Sequence, residues 1–356
     1  MTLREALSQV PDPRARNRRY PLWGLLALIL VAFLARVDSL RGVERFARAN
    51  PHLLPHLGLR NPPGHTILTL LLHRLDPKKL QEALLQVFPE VDLGGVLVVD
   101  GKHLRGSGKG KSPQVRLVED QALLELLDRL GAEGLKGKVV VGDAGYLYPE
   151  VAGKVVEKGA YLFVLKANQG ELLEWALEVF KGMEERRLPG ETESAWEVVR
   201  DGEVWTYRVW ASPYLPDALL AFPGCRQVVR VEREVVHKGT GEVRRAASYA
   251  LTSLGAEEAD ARRLGELLLS RWEVENRSFW VRDVLLHGQR SYLEDACQVR
   301  GVGAQVLAVL RAFLVSLLHR RGMREKITRQ RTLKAALETF SFHPLSALRF
   351  LGLYAV

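Results

Sequence analysis

Two aspartates stand where two predicted buried strands end. Asp100 follows the β-branched run at residues 96–99, and Asp143 follows the run at residues 138–142. Ligand sites in open α/β sheets lie at the carboxyl ends of the strands, so the two carboxylates can converge if the strands are neighbours. Close carboxylates repel each other unless a cation neutralises them, and oxygen ligands suit Mg²⁺ or Mn²⁺ rather than zinc. For either aspartate alone, a strand-end turn or a helix N-cap is the competing interpretation.

A third carboxylate, Glu275, lies in a helix predicted over residues 258–283. Side chains spaced three or four residues apart share one face of that helix. They are Leu268, Arg271, Glu275, Phe279 and Arg282. The alternative is a surface ion pair between Arg271 and Glu275, worth about 0.3 kcal/mol. Aromatic residues nearby imply burial and weaken that alternative.

Other catalytic patterns fit the sequence poorly. Residues 105–112 resemble a phosphate-binding loop, but Arg105 stands where that motif requires glycine. The sequence has no nucleophile elbow, no His-Glu-x-x-His motif and no dinucleotide fingerprint. Its two cysteines, Cys225 and Cys297, are far apart, which disfavours a disulfide framework and a cysteine-based zinc site. This cysteine usage favours a reducing cytoplasm.

The charge balance points to a polyanionic partner. The 356 residues carry 51 Lys and Arg against 42 Asp and Glu, a formal charge of +9. One basic group follows Asp100: Lys102, His103, Arg105, Lys109 and Lys111. The other lies beyond residue 299: Arg300, Arg311, Arg320, Arg321, Arg324, Lys326, Arg329, Arg331, Lys334 and Arg349. Binding to a phosphate backbone explains this concentration of positive charge better than a solvated helix face does.

The first 90 residues are predicted to be all helical. Their longest apolar run, residues 22–35, is shorter than the roughly 18–20 residues needed to cross a bilayer. We interpret it as a buried helix rather than a targeting segment. Asp76 is expected to cap the helix that follows it. Short helices with basic residues suit a DNA-binding module, and a helical packing domain without DNA contacts is the alternative.

Strands and helices alternate from residue 91 onward, which predicts an α/β domain with a largely parallel sheet. The strands are expected at residues 96–100, 115–120, 138–143 and 160–166. A strand-rich insertion is predicted at about 186–252, and the chain is helical again from residue 257. These patterns divide the chain into a helical N-terminal domain, residues 1–90, and a catalytic domain, residues 91–356. The latter ends in a basic helical segment at about 299–356.

Several segments resemble the ISAs1-type insertion-sequence transposases, or H-repeat-associated proteins, within the broader IS4-like group. VPDPRARNRRYPLWGLLALILVAFLARVDSLRGVERFA looks like the helical N-terminal domain of that family. VVDGKHLRGS resembles its first catalytic segment, and VVVGDAGYLYPEVAGKVVEKGAYLFVLKANQ its second. ALTSL followed by SRWEVENRSFWVRDV resembles the third. The resemblance runs over nearly the whole chain.

The resemblance implies an RNase H-like core with a DDE triad. Asp100, Asp143 and Glu275 match the three acids and would hold two Mg²⁺ (or Mn²⁺) ions. The cations expected to bind DNA are Lys102, Arg105, Lys166, Arg271 and Arg282. In the signature of the broader group, Arg282 stands where a lysine belongs and Leu268 where a tyrosine belongs. The arginine keeps a cation for phosphate, although the two side chains are not equivalent.

The implied reaction is two-metal phosphoryl transfer on double-stranded DNA. Water would cut the transposon end, and the freed 3′-hydroxyl would attack the target DNA. The resemblance implies a homodimer on paired ends, no membrane, and a bacterial cytoplasmic protein associated with the nucleoid. One alternative is a decayed, inactive copy that only binds DNA. Another is an unrelated Mg²⁺-dependent hydrolase of small phosphate esters, which the basic C-terminal region disfavours.

The segment between Asp100 and Asp143 departs from the RNase H-like pattern. That fold has two antiparallel strands after its first aspartate, and only residues 115–120 suggest one here. We therefore expect a core that is one strand short. Residues 115–120 would then pair directly with residues 96–100 through the glycine-rich linker at 106–112.

Overall fold

The computed structural model describes most of the chain. Its described residues are 1–15, 18–88, 95–99, 102–104, 115–117, 123–124, 127–128, 133–274 and 299–354. They fall into two compact units. The first comprises residues 1–91, 102–117 and 275–356, and the second comprises residues 92–101 and 118–274.

The N-terminal part of the first unit is helical, as predicted. Its helices are α1 (Leu3–Gln9), α2 (Leu22–Leu34), α3 (Leu40–Ala49), α4 (His65–Arg74) and α5 (Pro77–Leu85). Side chains that accept backbone N–H groups cap the starts of α1, α3 and α5. Thr2 forms a capping box with Glu5, and Ser39 accepts the N–H of Gly42. Asp76 caps α5 by accepting the N–H groups of Lys78 and Lys79, which confirms its expected role.

The central segment carries the strands. They are β1 (Val96–Val99), β2 (Lys102–Leu104), β3 (Val115–Leu117), β4 (Val139–Gly142), β5 (Ala160–Leu165), β6 (Thr192–Arg200), β7 (Glu203–Ser212), β8 (Gln227–His237) and β9 (Val243–Thr252). The helices between and after them are α6 (Pro149–Val156), α7 (Gly170–Glu185), α8 (Asp217–Leu220) and α9 (Ala261–Val274). The C-terminal helices are α10 (Gly301–Leu318), α11 (Arg321–Thr328), α12 (Leu333–Phe342) and α13 (Pro344–Phe350).

The C-terminal helices share one hydrophobic core with the N-terminal helices. Leu28 of α2, Leu71 of α4, Leu310 of α10 and Phe340 of α12 are buried in the same cluster. The Ser341 hydroxyl donates to the carbonyl of Ala35 at 3.0 Å. The sequence patterns placed the C-terminal segment in the catalytic domain. The described helices of this segment pack with the N-terminal helices instead.

Helix α2 explains this packing. It is apolar all round, and every residue from Leu25 to Leu34 is almost completely buried, so the prediction of a buried helix at residues 22–35 is confirmed. A helix of this kind needs neighbours on every side, and α10, α12 and α13 supply some of them. Helix α10 is itself long and apolar enough to cross a membrane, but about two thirds of that stretch is buried inside the protein.

The second unit is built on a mixed sheet with strand order β1-β4-β5-β9-β8-β7-β6. Strands β1, β4 and β5 are parallel, and β9 joins β5 in the antiparallel direction. Strands β6 to β9 pair in sequence and form the strand-rich segment expected at about 186–252. The parallel strands are β-branched and apolar because helices cover both of their faces.

Alternating side chains of these strands face different helices. Val141 and Leu162 pack with Leu264 and Leu267 of α9 on one face. Their neighbours Val140 and Phe163 face the opposite way, towards α6 and α7. The result is a layer of helices on each side of the sheet, with the carboxyl ends of β1, β4 and β5 at the same edge.

The strands described between Asp100 and Asp143 pair differently from the sequence prediction. Strand β2 pairs antiparallel with β3, with Lys102 opposite Leu117 and Leu104 opposite Val115. Strands β2 and β3 form a two-stranded sheet of their own and add no strand to the seven-stranded sheet. The described residues thus contain two strands where the sequence suggested one, and residues 115–117 pair with β2 rather than with β1. The reason is that β2 reads Lys-His-Leu, without the β-branched residues that signal a strand.

Candidate active site at the carboxyl edge of the parallel strands

Asp143 lies immediately after β4 and caps the turn that follows it. Its Oδ1 atom accepts the N–H of Ala144 at 2.7 Å, at the start of a 3₁₀ turn spanning Ala144–Tyr146. Gly142 closes the strand where a side chain would crowd Tyr146, Phe163 and Val99. Capping was the competing interpretation of Asp143, and it describes part of what this carboxylate does.

Lys166 pairs with the same carboxylate from the end of the neighbouring strand. Its Nζ atom lies 2.8 Å from Oδ1 and 2.9 Å from Oδ2 of Asp143. The two residues are 23 positions apart in the chain, and the parallel pairing of β4 with β5 brings them together. Lys166 was predicted to be a DNA-binding cation, and it stands within contact distance of the predicted second acid.

Gln169 connects the two turns and was missing from the predicted site residues. Its Oε1 atom accepts the N–H of Lys166 at 3.3 Å, and its Nε2 atom donates to the carbonyl of Ala144 at 2.7 Å. The side chain therefore links the turn after β4 to the turn after β5. Its position in the Lys-x-Asn-Gln block that carried part of the resemblance was the available signal.

Electrostatics keeps the Asp143 carboxylate ionised. Partial burial raises its pKa, but the hydrogen bond from Lys166, the N–H of Ala144 and the charges of Lys166 and Arg271 lower it further than burial raises it. The pKa of Asp143 consequently lies below the ordinary aspartate value. Arg271, on α9, is thus close enough for its charge to act on Asp143.

Of the remaining predicted site residues, the structure describes only Lys102. Asp100, Glu275, Arg105 and Arg282 lie outside the described residues. Asp100 follows Val99, the last residue of β1, and Glu275 follows Val274, the last described residue of α9. Lys102 begins β2 in the first unit.

The predicted metal ligands can be compared with the structure only at Asp143. Its ionised oxygens are the donor type that Mg²⁺ and Mn²⁺ prefer. Within the residues that the structure describes, no group of three or more His, Cys, Asp and Glu side chains could hold a metal ion.

Comparison with known families decides the class of protein. The family described as Transposase DDE domain matches residues 109–311, more than half of the chain. The chain belongs to this DDE transposase family. The family described as DDE_Tnp_1-associated matches residues 4–87, and the two matches together indicate a transposase of the IS4-like group. A comparison with curated proteins finds no match.

The match carries general consequences for this transposase. It supports a role in transposition and an enzyme of the nuclease or transferase type, with DNA as the partner that the family implies. The family typically uses divalent metal ions. The matched range contains Asp143, Lys166, Arg271 and Glu275 and begins nine residues after Asp100.

Proposed function

We propose that this transposase is an ISAs1-type member that binds transposon-end DNA and catalyses metal-dependent strand cleavage and strand transfer. Asp100, Asp143 and Glu275 would form its DDE triad. The observation that carries the proposal is the Asp143–Lys166 pair at the carboxyl ends of β4 and β5, with Arg271 within electrostatic reach. It combines an ionised carboxylate with cations that suit a phosphate.

The strand register supports Asp100 as the partner of Asp143. Val99 and Gly142 are paired residues on parallel strands, and adjacent strands are about 4.8 Å apart. Asp100 and Asp143 each follow directly, and consecutive Cα atoms are about 3.8 Å apart. Chain connectivity thus favours a shared site for the first two acids. For Glu275, the support is its place in the sequence, directly after Val274 of α9 and four residues after Arg271.

The donor set fits a pair of hard divalent cations. Three carboxylates would hold two Mg²⁺ or Mn²⁺ ions, which when bound activate the attacking oxygen and stabilise the leaving oxygen. Asp143 contributes by staying ionised at neutral pH. Lys166 contacts both of its oxygens.

The cations next to Asp143 have a role of their own in this proposal. The Lys166 ammonium, which pairs with Asp143, would also be close enough to contact a phosphate of DNA bound at this site. Arg271 offers a planar guanidinium that suits a phosphate in a bidentate arrangement. Lys102, Arg105 and Arg282 would add further backbone contacts. The enzyme would act as a homodimer on paired ends, in the cytoplasm and on nucleoid DNA.

A cleavage assay tests this function. The full chain is incubated with duplex DNA that carries the ends of its element, with Mg²⁺ or Mn²⁺. We expect nicks at the element ends that Asp100→Ala, Asp143→Ala and Glu275→Ala each abolish. Glu178→Ala removes an exposed carboxylate on α7 and is the matched control that should cut normally.

The same assay separates the proposal from its alternative. Binding to the ends without nicking by the unaltered chain, and with no effect of the three substitutions on binding, would identify an inactive transposase that only binds DNA. Nicking that survives loss of any one of the three acids would show that the triad is assigned wrongly.

A further inference from the structure

A strongly basic segment of the first unit includes none of the five residues named above as DNA-binding cations. Residues 320–334 contain seven basic side chains and one carboxylate, a net charge of +6 out of the +9 of the whole chain. The basic residues are Arg320, Arg321, Arg324, Lys326, Arg329, Arg331 and Lys334, and the acid is Glu325. Helix α11, the loop after it and the start of α12 hold these charges at one place.

One of these arginines is buried and holds the loop in shape. Arg324 is only 6% exposed. Its Nη1 atom donates to the carbonyl of Leu318 at 2.8 Å, at the end of α10, and its Nη2 atom donates to the carbonyl of Arg331 at 2.6 Å. Burying a guanidinium is costly, and these contacts go to backbone carbonyls. The side chain therefore fixes the loop between α11 and α12 against the end of α10.

Further hydrogen bonds fix the same loop residue by residue. The Arg329 N–H donates to the carbonyl of Glu325 at 2.8 Å, and the Gln330 N–H donates to the Thr328 hydroxyl at 3.1 Å. Thr332 caps α12 by accepting the N–H of Ala335 at 3.2 Å. Arg329 adopts a left-handed backbone with φ of 59°, which is uncommon for residues other than glycine. The loop thus has one defined conformation.

The loop and the helix residues beside it expose four cations to solvent. Lys326, Arg329, Arg331 and Lys334 are exposed. The single carboxylate, Glu325, pairs with Arg321 at 2.7 Å, which leaves it little capacity to neutralise the other four. No ion pair is formed by Lys326, Arg329 or Lys334 within the described part of the chain. The surface therefore carries four exposed cations on an ordered backbone, with Glu325 as the one carboxylate of the segment.

We propose that the α11–α12 loop is a phosphate-backbone clamp for duplex DNA, with Arg329 and Arg331 as its central contacts and Lys326 and Lys334 beside them. The inference rests on the proposed DNA binding and assigns it a second contact surface. Duplex DNA carries a phosphate charge about every 1.7 Å along its axis, which matches a dense array of cations. The first turn of α12 adds the positive end of a helix dipole next to the loop. Such contacts position DNA and do not read its sequence.

Fluorescence anisotropy with the full chain tests the clamp. The probes are a labelled duplex carrying the element end and an unrelated duplex of equal length, each titrated at several salt concentrations. In the double variant Arg329→Asn, Arg331→Ser, the asparagine tolerates the left-handed backbone. We expect weaker binding to both duplexes and a salt slope smaller by about 2, near one unit for each lost phosphate contact.

A second pair of variants separates lost contacts from lost folding. Lys326→Gln, Lys334→Gln leaves the hydrogen bonds of the loop intact and should also lower the slope. The matched control is Lys136→Ser, Lys158→Ser, which removes two exposed lysines that precede β4 and β5, at the opposite ends of those strands from Asp143. The control should bind as the unaltered chain does.

Two results would overturn the clamp, and they are distinguishable. If the unaltered chain binds duplex DNA and both loop variants keep its affinity and salt slope, the loop is not a contact surface, although the proposed function stands. If the unaltered chain binds neither duplex at low salt, the proposed DNA binding fails and the clamp fails with it.

Discussion

The Lys166 ammonium lies within 2.9 Å of both carboxylate oxygens of Asp143, and this contact joins the ends of two adjacent parallel strands. A lysine in this position lowers the pKa of the carboxyl group, so the aspartate is ionised before any cation arrives. It also places a positive charge where a phosphate would approach. The pair therefore supplies both an ionised carboxylate and a cation, which the proposed reaction needs.

Replacing Lys166 should raise the pKa of Asp143. In Lys166→Met, burial still raises that pKa while the main opposing hydrogen bond and charge are lost. Lys166→Arg keeps a cation and is the control. The pKa can be measured by carbon-detected NMR titration of the Asp143 carboxyl group in both variants. An unchanged pKa in Lys166→Met would mean that the ion pair does not govern ionisation in solution.

Removing Gln169 should loosen the turns that carry Asp143 and Lys166. Gln169→Ala loses hydrogen bonds to Ala144 and Lys166, each worth about 1 kcal/mol of unfolding free energy. We expect a loss of about 1–2 kcal/mol in urea denaturation, together with slower end cleavage. Gln169→Glu keeps the acceptor for the Lys166 N–H but sets a carboxylate oxygen against the Ala144 carbonyl oxygen, so its loss should be at least as large. Equal stability of all three proteins would contradict a stabilising role of the Gln169 hydrogen bonds.

The stability of the first unit should fall in acid because of Glu44. The backbone N–H of His65, its ring and Arg48 lower the pKa of Glu44 from 4.5 to about 2. A carboxyl group with a depressed folded-state pKa stabilises the fold above its unfolded pKa and loses that contribution as pH falls through the folded value. The loss should therefore develop between about pH 4.5 and pH 2.

Glu44→Gln is the variant that isolates this effect. Urea midpoints measured at pH 6 and pH 3 should differ less in Glu44→Gln than in the unaltered chain, because the substituted side chain does not titrate. The same difference between the two pH values in both proteins would assign the acid sensitivity to other carboxyl groups.

Because the N-terminal and C-terminal helices share one core, a substitution that destabilises one set should also destabilise the other. Leu310 of α10 is completely buried in the cluster that also contains Leu28 of α2. Leu310→Ala should cost about 2–5 kcal/mol because it leaves a cavity. Hydrogen exchange should then speed up in α2 as well as in α10, whereas Leu220→Ala, at an exposed leucine of the second unit, should change neither. Faster exchange confined to α10 would contradict a common core.

The sequence predicted those strands whose burial is visible in their composition. Val139–Gly142 and Ala160–Leu165 are apolar and rich in β-branched or aromatic residues because helices cover both faces of the sheet. It did not predict β2, where Lys-His-Leu carries no such pattern. Short polar strands depend on their partner, which composition does not reveal.

The sequence patterns also did not predict which distant helices pack together. The apolar character of α2 required neighbours on all sides, but nothing in it specified that α10 and α12, far along the chain, would supply some of them. At the site, Asp143 and Lys166 were identified by a strand-end position and by resemblance. Gln169 was missed because its role depends on the geometry of two turns, which appears only when the strands are paired.

The measurement that tests the central claim most directly is metal rescue at position 143. Asp143→Cys replaces hard oxygen ligands with sulfur, which Mg²⁺ binds poorly and the softer Mn²⁺ tolerates better. With duplex DNA carrying the element ends, we predict that this variant loses nicking in Mg²⁺ and recovers a measurable part of it in Mn²⁺. Glu178→Cys on α7 should cut normally in both metals. Unimpaired nicking by Asp143→Cys in Mg²⁺, or a loss that Mn²⁺ leaves unchanged, would contradict Asp143 as a metal-binding catalytic carboxylate.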